Sequence, residues 1–264
     1  MDHTPQNSLP ERMADHGPTR LAVVGRGRLG SALSSALVAS GAQVQGPLGR
    51  SERPSMPVHA VLLCVPDAEI PAAAAAVAGA APFVGHTSGA TPLDAVASAG
   101  ATAFGLHPLQ TFTGEDVPER FQGAGCAVAG ESDAALALAT GLAESLGMRP
   151  FPLGDADRAA YHAAASIASN FLVTLQAAAE DAAAAAGLER AEARRLLAPL
   201  VRATVDNWAA QGPERALTGP VARGDEATVQ RQREALEERA PHLLELFDVL
   251  AERTRSVAGR GALL

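Results

Sequence analysis

The chain has 264 residues, of which 47% are hydrophobic, 19% charged and only 3% aromatic, and its formal net charge is -8. The apolar fraction is ample for a buried core and excludes global disorder, and the acidic balance argues against a surface that neutralises nucleic-acid phosphates. All 21 residues counted as Lys or Arg are arginine, which excludes Schiff-base, pyridoxal-phosphate and phosphate-loop-lysine chemistry, because each needs an ε-amine.

Residues 1–18 are polar, with Pro5, Pro10, Glu11, Arg12 and Asp15 where a signal peptide needs an apolar run, and read as a disordered extension. From Arg20 onward, short apolar runs alternate with alanine-rich segments, the pattern of βαβ units. Leu21 to Val24 reads as a buried strand, Leu29 to Ser40 as a helix closed by Gly41, and Ala42 to Gln45 as the next strand. Ala60 to Val65 is a central strand, followed by Pro66 and a helix from Asp67 to Ala78. Further strands are expected at Pro82 to Gly85, Thr102 to Leu106 and Cys126 to Ala129, then a helix from Ser132 to Leu146 and a strand from Arg149 to Pro152. The two cysteines, Cys64 and Cys126, lie in apolar stretches and read as small buried hydrophobes.

After Gly154 strands vanish. One long helix is expected from Asp155 to Ala186, a second from Glu189 to Ala210 that is interrupted or kinked at Pro199, and two more over Glu226 to Arg239 and Pro241 to Val257. The uncharged stretch Ala159 to Ala179 contains Tyr161, His162, Ser166, Ser169 and Asn170, so it reads as a buried helix and not a membrane span. The expected organisation is a Rossmann-type parallel sheet domain over 19–153 followed by an all-helical substrate and dimerisation domain over 154–264, in the cytoplasm.

Gly25-Arg26-Gly27-Arg28-Leu29-Gly30 follows an expected strand and opens an expected helix. Gly25 permits the tight turn, Gly27 lets a pyrophosphate approach the backbone, and Gly30 lets helix and strand pack closely. Beyond the second strand no carboxylate stands at the tip, and Arg50 and Ser51 follow, a guanidinium and a hydroxyl that suit a ribose 2′-phosphate. NADP is therefore favoured over NAD, against the alternative of a solvated basic loop. Arg26 and Arg28 either attract phosphate or face water. Val65 and Pro66 end a central strand where ligands bind in this architecture, although a strand-to-helix turn capped by Asp67 explains them equally.

His86-Thr87-Ser88-Gly89 and His107-Pro108-Leu109-Gln110 follow apolar strands and are expected on the same sheet edge as the glycine turn. A lone histidine is ordinarily a hydrogen-bonded structural group. Two histidines and a serine beside a cofactor make His107 and Ser88 candidates for substrate contact and proton transfer. A serine hydrolase lacks its Gly-X-Ser-X-Gly elbow, and the histidines lack metal-ligand spacing. On the first long helix His162, Ser166 and Asn170 fall on one face, where either backbone groups or a substrate serve as partners. Thr218-Gly219-Pro220-Val221-Ala222-Arg223-Gly224-Asp225 is either a connector in which Asp225 caps the next helix or a rigid loop presenting Thr218 and Arg223 to an anion.

Together, the Gly25 turn, His86-Thr-Ser-Gly, His107-Pro-Leu-Gln, Tyr161-His-Ala-Ala and the Thr218 to Asp225 segment resemble a family of bacterial short-subunit dehydrogenase-like oxidoreductases, which pair a Rossmann-like NADP-binding domain with a C-terminal domain of unknown function. The layout is more distantly similar to pyrroline-5-carboxylate reductase, ketopantoate reductase, β-hydroxyacid dehydrogenases and the 6-phosphogluconate dehydrogenase superfamily. The resemblance implies a homodimer through the helical domain and an active site between domains. In prephenate dehydrogenases a serine preceding a Gly-X-His-Pro segment contacts substrate, and Ser88 and His107 match those positions. Where β-hydroxyacid dehydrogenases carry a lysine and an asparagine, Ser166 and Asn170 stand here. The resulting expectation is an NADP(H)-dependent oxidoreductase that moves a hydride to or from a small carbonyl, imine or alcohol. In it His107 transfers the proton, Ser88 and Asn170 orient the reacting group, and His86, His162, Ser166, Thr218 and Arg223 line the substrate. The alternative is a non-catalytic NADP-binding sensor or partner module.

Overall fold

The structure is a computed structural model that describes residues 19–114 and 117–261; the extension expected over 1–18 lies outside the described residues. The chain divides into two compact units, one running to Ile167 and the other starting at Ala168.

The first unit contains, in chain order, β1 (Arg20–Val24), α1 (Arg28–Ala39), β2 (Gln43–Leu48), β3 (Ala60–Leu63), α2 (Ile70–Ala76), β4 (Phe83–His86), β5 (Thr102–Leu109), β6 (Gly125–Gly130), α3 (Asp133–Ser145), β7 (Arg149–Pro152) and α4 (Arg158–Ala168). The strands form one sheet in the order β2-β1-β3-β4-β5-β6-β7. It is parallel from β2 through β5, as expected of a Rossmann-type domain. β6 then runs antiparallel to β5, and β7 lies parallel to β6. A parallel pair needs a crossover, usually a helix, whereas the described residues between β5 and β6 hold only the short 3-10 turn Pro118–Phe121, so the chain returns beside β5 in the opposite sense.

Side-chain alternation along the strands feeds two cores. Leu21 and Val23 of β1 join Leu33, Leu37, Phe104, Phe121 and Leu142 under α1 and α3. Ala22 and Val24 join Leu63, Ile70, Val77, Val84 and Val96 under α2 and the 3-10 segment Leu93–Ala99. Each fully buried Leu, Ile, Val or Phe stabilises the fold by about 1.5–3 kcal/mol. Cys126 is buried and Cys64 partly so.

Three further differences from expectation bear on the site. β3 ends at Leu63, two residues short of Val65. β5 runs on to Leu109, so His107 stands inside a strand and not on the loop after it; β4 reaches only to Gly105 along β5, and a proline such as Pro108 is tolerated where a strand has one neighbour. The long helix expected from Asp155 to Ala186 opens with a 3-10 turn and breaks at Ser169 (φ -116°, ψ -70°) into α4 and α5 (Asn170–Ala185). Ser166, Ser169 and Asn170 crowd this point with side chains that compete for backbone hydrogen bonds.

The second unit is α5, α6 (Arg190–Gln211), α7 (Pro213–Ala216), α8 (Glu226–Arg239) and α9 (Leu244–Gly261). α6 continues through Pro199 without a break. Asp225 caps α8, its Oδ1 accepting from the Thr228 amide at 3.1 Å. The interior is thin, with Ala193, Val229, Leu243 and Ala251 buried, while Leu196, Leu200 and Trp208 on α6 are more than half exposed. Among the described residues no helix is long and apolar enough to cross a membrane.

Candidate functional site

β1, β3, β4 and β5 pair in register along the row Val24, Leu63, His86, Gly105. Their carboxyl ends therefore share one sheet edge, where the glycine turn and the His107 pair both lie. Neighbouring strands stand roughly 4.8 Å apart, so the two features are about 14 Å from each other along that edge.

After β1 the backbone passes through Gly25 at φ +119°, and a Cβ there would stand 2.1 Å from the Cys64 carbonyl oxygen. A Cβ on Gly30 would lie 2.0 Å from the Gly25 oxygen, so turn and helix meet backbone to backbone. At Gly27 the opposite holds: nothing lies within 4 Å of a Cβ built there. Gly27 is the N-cap of α1, with no side-chain cap and no acidic residue in the first turn. The first amides of a helix have no intrahelical acceptor, so with no side-chain cap and no neighbour beside Gly27 this end of α1 is free to take a phosphate. Leu29 packs against the core beneath. Burial pushes the Cys64 thiol under the turn up to about 12, so it stays neutral.

The arginines around the turn are held by their own chain. Arg26 Nη2 pairs with both oxygens of Glu52 at 2.9 Å, and its Nε donates to the Pro47 carbonyl at 3.3 Å. Glu52 Oε2 also accepts from the Gly49 amide at 2.9 Å. That amide, with Arg26, holds the Glu52 carboxyl below its ordinary range against the smaller cost of burial. Arg50 Nη1 meets Glu69 at 2.5 Å, and Arg28 Nη1 donates to the Phe112 carbonyl at 3.4 Å. Ser51 is exposed beside Arg50, while Val65 is half-buried and Pro66 exposed past the end of β3.

The second cluster centres on His107. Its Nδ1 lies 2.7 Å from the Tyr161 hydroxyl, and the two rings meet edge-on at 5.4 Å between centroids. His162 lies at 6.1 Å from the same ring. A Cβ on Gly89 would stand 2.9 Å from His107 Nε2 and 2.9 Å from His162 Cδ2, so the missing side chain is what lets the turn approach both imidazoles. Burial pushes His107 down to about 4, with His162, Arg158 and His86 adding to the effect and Asp67 opposing it. Tyr161 is pushed up to about 12, again mainly by burial. At neutral pH both groups are therefore uncharged. When the phenol donates to Nδ1, the ring proton sits on Nε2; when Nδ1–H donates to the phenol oxygen, Nε2 is left bare.

His86 is fully buried at the end of β4. Its Nδ1 accepts from the Ser88 amide at 3.2 Å, which leaves Nε2–H to donate to the Pro92 carbonyl at 3.3 Å. Ser88 Oγ accepts from the amides of Ala90 and Thr91 and donates to Thr91 Oγ1 at 2.9 Å. In this arrangement both ring nitrogens of His86 and the Ser88 hydroxyl serve the turn that carries Gly89. Arg158 anchors the same turn from α4. Only 3% exposed, it donates from Nε to Asp155 Oδ1 at 2.6 Å and from Nη1 to the Ser88 carbonyl at 3.4 Å, while its buried Nη2 has no hydrogen-bond partner among the described residues.

His162 and Ser166 are half-buried on α4 in the first unit. Asn170 begins α5 in the second, beyond the break at Ser169, so the expected three-residue stripe does not run along one continuous helix. Thr218 and Arg223 are exposed in the turns between α7 and α8, also in the second unit. Sequence reasoning missed Tyr161, Gly89, Arg158 and Glu52 as members of the site. Tyr161 carried one signal, being the chain's single tyrosine.

Residues 124–254 match the family model of a domain of unknown function, DUF2520. No curated protein matches the chain. Among solved structures it is similar to a candidate NADP oxidoreductase of Bacteroides fragilis, with 19% identity, a TM-score of 0.75 and coverage of 90% of this chain and 98% of that one. A protein of Thermotoga maritima follows at 25% identity and TM-score 0.72, covering 91% and 98%. The 1-pyrroline-5-carboxylate reductase of Streptococcus pyogenes gives 14% and 0.60, covering 90% and 99%. These likenesses establish the fold, a Rossmann-like sheet followed by helices. The short-subunit dehydrogenase label finds no support in them.

Proposed function

We propose that the chain is an NADP(H)-dependent oxidoreductase acting on a small carbonyl, imine or alcohol. The observation that carries the reading is one sheet edge holding both an uncapped glycine turn and a largely buried, neutral imidazole hydrogen-bonded to a phenol, which we take to donate to Nδ1. The fold shared with an NADP oxidoreductase and a pyrroline-5-carboxylate reductase supports it.

In this reading Gly27 and the first amides of α1 hold the pyrophosphate, Arg50 and Ser51 receive the 2′-phosphate, and Val65 and Pro66 wall the cleft beside them. NADPH, when bound, supplies a hydride. His107 does the acid–base work. Its Nε2–H donates to the reacting oxygen or nitrogen and steadies the charge that develops there. As that proton leaves, Tyr161 passes its own to Nδ1, so the ring does not become an anion, and the phenolate left behind takes up a proton from water to restore the pair. His162 and Ser166 line the substrate, while His86 and Ser88 shape the turn and keep Gly89 clear of the ring.

The second unit is proposed to form a homodimer, supported by Leu196, Leu200 and Trp208, which recur at helical spacing on α6 and are 57%, 63% and 56% exposed. A monomeric mass by light scattering would remove that proposal.

The deciding experiment is His107→Ala. Turnover of NADPH against a panel of keto acids, aldehydes and cyclic imines is expected to fall by about 100-fold or more, with NADPH affinity within twofold. Unchanged turnover removes His107 from the chemistry, and tight NADPH binding with no turnover anywhere on the panel favours a sensor.

A further inference from the structure

The glycine turn and the loop after β2 each carry a guanidinium group, and each is paired with an acid of the same loop region or of the turn after β3. Arg26 makes a two-oxygen pair with Glu52, and Arg50 is paired with Glu69. Glu52 is the more tightly placed of the two acids. Its backbone amide donates to the Gly49 carbonyl at 3.0 Å, which closes residues 49–52 into a turn. Its side chain folds back within that turn to take the Gly49 amide, and it reaches Arg26 across 26 residues of sequence. The pair thus joins the glycine turn to the loop after β2, the two segments between which the adenosine ribose lies in a dinucleotide-binding sheet.

We propose that Glu52 gates the adenosine 2′-phosphate subsite: its carboxylate holds Arg26 in the free chain and must give way when a 2′-phosphate arrives, but stays as a hydrogen-bond acceptor when the ribose carries a free 2′-hydroxyl. The inference rests on the dinucleotide reading above. The physical basis is that the Arg26 nitrogen paired with both Glu52 oxygens cannot serve a phosphate in that geometry, and that a carboxylate left beside a phosphate dianion repels it. A carboxylate near the end of the second strand is also the group that accepts from a ribose hydroxyl, and although none stands at the tip of β2 itself, Glu52 follows in the turn after Leu48. The chain therefore carries both recognition elements, and Glu52 sets the balance between them. Both side chains are about half exposed or more, so the gate opens at small cost.

The test uses cofactor fragments on the full chain, so it needs neither a substrate nor turnover. Adenosine 2′,5′-bisphosphate and adenosine 5′-monophosphate are titrated calorimetrically into the wild type, Glu52→Gln and Glu52→Ala. Both substitutions are expected to tighten the bisphosphate by about threefold to tenfold, the worth of one exposed ion pair plus the relieved repulsion. The monophosphate is expected to bind equally or less tightly. Bisphosphate affinity unchanged or weakened in both variants, with the wild type binding, overturns the gate and leaves the dinucleotide reading intact. A wild type that binds neither fragment removes that reading, and the gate with it.

Discussion

Tyr161→Phe deletes one oxygen and keeps the packing. The ring remains edge-on to His107 and also to Phe151, whose centroid lies 5.8 Å away, so the loss is confined to the 2.7 Å hydrogen bond at Nδ1. Leaving a mostly buried ring nitrogen without its donor costs about 1–3 kcal/mol of stability, or about 2–4 °C in Tm for each kcal/mol in a chain of this size. The tautomer change is the sharper consequence. With no donor facing Nδ1, the ring proton redistributes between the two nitrogens, and the fraction with hydrogen on Nε2 falls. Turnover is expected to drop about 10- to 100-fold, equivalent to 1.4–2.8 kcal/mol of lost transition-state stabilisation. Nitrogen NMR of the labelled histidine reads the tautomer without any substrate, with the proton expected on Nε2 in the wild type and shared in the variant. A wild-type ring protonated on Nδ1, or a variant with the same tautomer as the wild type, would refute the reasoning.

The glycine turn separates folding from binding. Gly30→Ala places a methyl 2.0 Å from the Gly25 oxygen and is expected to destabilise the chain by several kcal/mol, about the scale of a clash with rigid backbone. Gly27→Ala meets nothing within 4 Å, so urea unfolding is expected to be nearly unchanged while NADPH binding is lost. Equal effects on stability would contradict the open cradle. Stability should also fall on the acid side. His107 titrates at about 4 when folded and near 6.5 when unfolded, so between those values the unfolded chain binds the extra proton and stability rises with pH. As pH falls from about 6.5 toward 4, up to about 3 kcal/mol should be lost through this ring, and His86, shifted down by burial as well, adds to it. Urea midpoints measured from pH 7.5 to 4.5 should decline, with a shallower decline in His107→Gln, and parallel curves would count against a buried neutral ring.

How much of this was legible in sequence depends on how local each signal is. The glycine turn was readable because the positive φ of Gly25 and the contact of Gly30 with the Gly25 oxygen arise within one strand–turn–helix unit, although Gly25 also packs on the Cys64 carbonyl beyond β3. That His86 and His107 stand toward the carboxyl ends of their strands was readable from apolar runs, but that His107 lies inside β5 was not, nor was what the two side chains face. The Ser88 hydroxyl is claimed by Thr91 three residues on, a local turn visible in the sequence as Ser-X-X-Thr. His107 draws its partner from Tyr161, 54 residues away, and no periodicity encodes that meeting. The reversal of β6 was hidden because a strand's composition does not state its direction. The lack of a helix among the described residues between Leu109 and Gly125 did carry that information. Glu52 lay in plain view beside Arg50, yet its partner is Arg26, which only the return of β2 beside β1 brings near.

The absence of lysine gains a physical reading from Arg158. A lysine at a reacting oxygen unites a positive charge and a transferable proton on one nitrogen. In this chain of 21 arginines and no lysine, the first unit carries the two on different side chains. A guanidinium keeps its charge but does not give up its proton, and Arg158 sits buried under the turn with Asp155 and the Ser88 carbonyl fixing its position. Its charge acts on His107 together with burial and the nearby His162, so an imidazolium there would place a second cation in space already holding one. The surroundings therefore select the neutral ring. A neutral Nε2–H is a weaker donor than an ammonium, but it is present in full at neutral pH, where a histidine of ordinary pKa would be partly charged. A site built this way favours charge that grows negative on the reacting atom, because Arg158 attracts it and His107 can meet it with a proton, while a substrate that arrives as a cation is opposed by the same buried guanidinium.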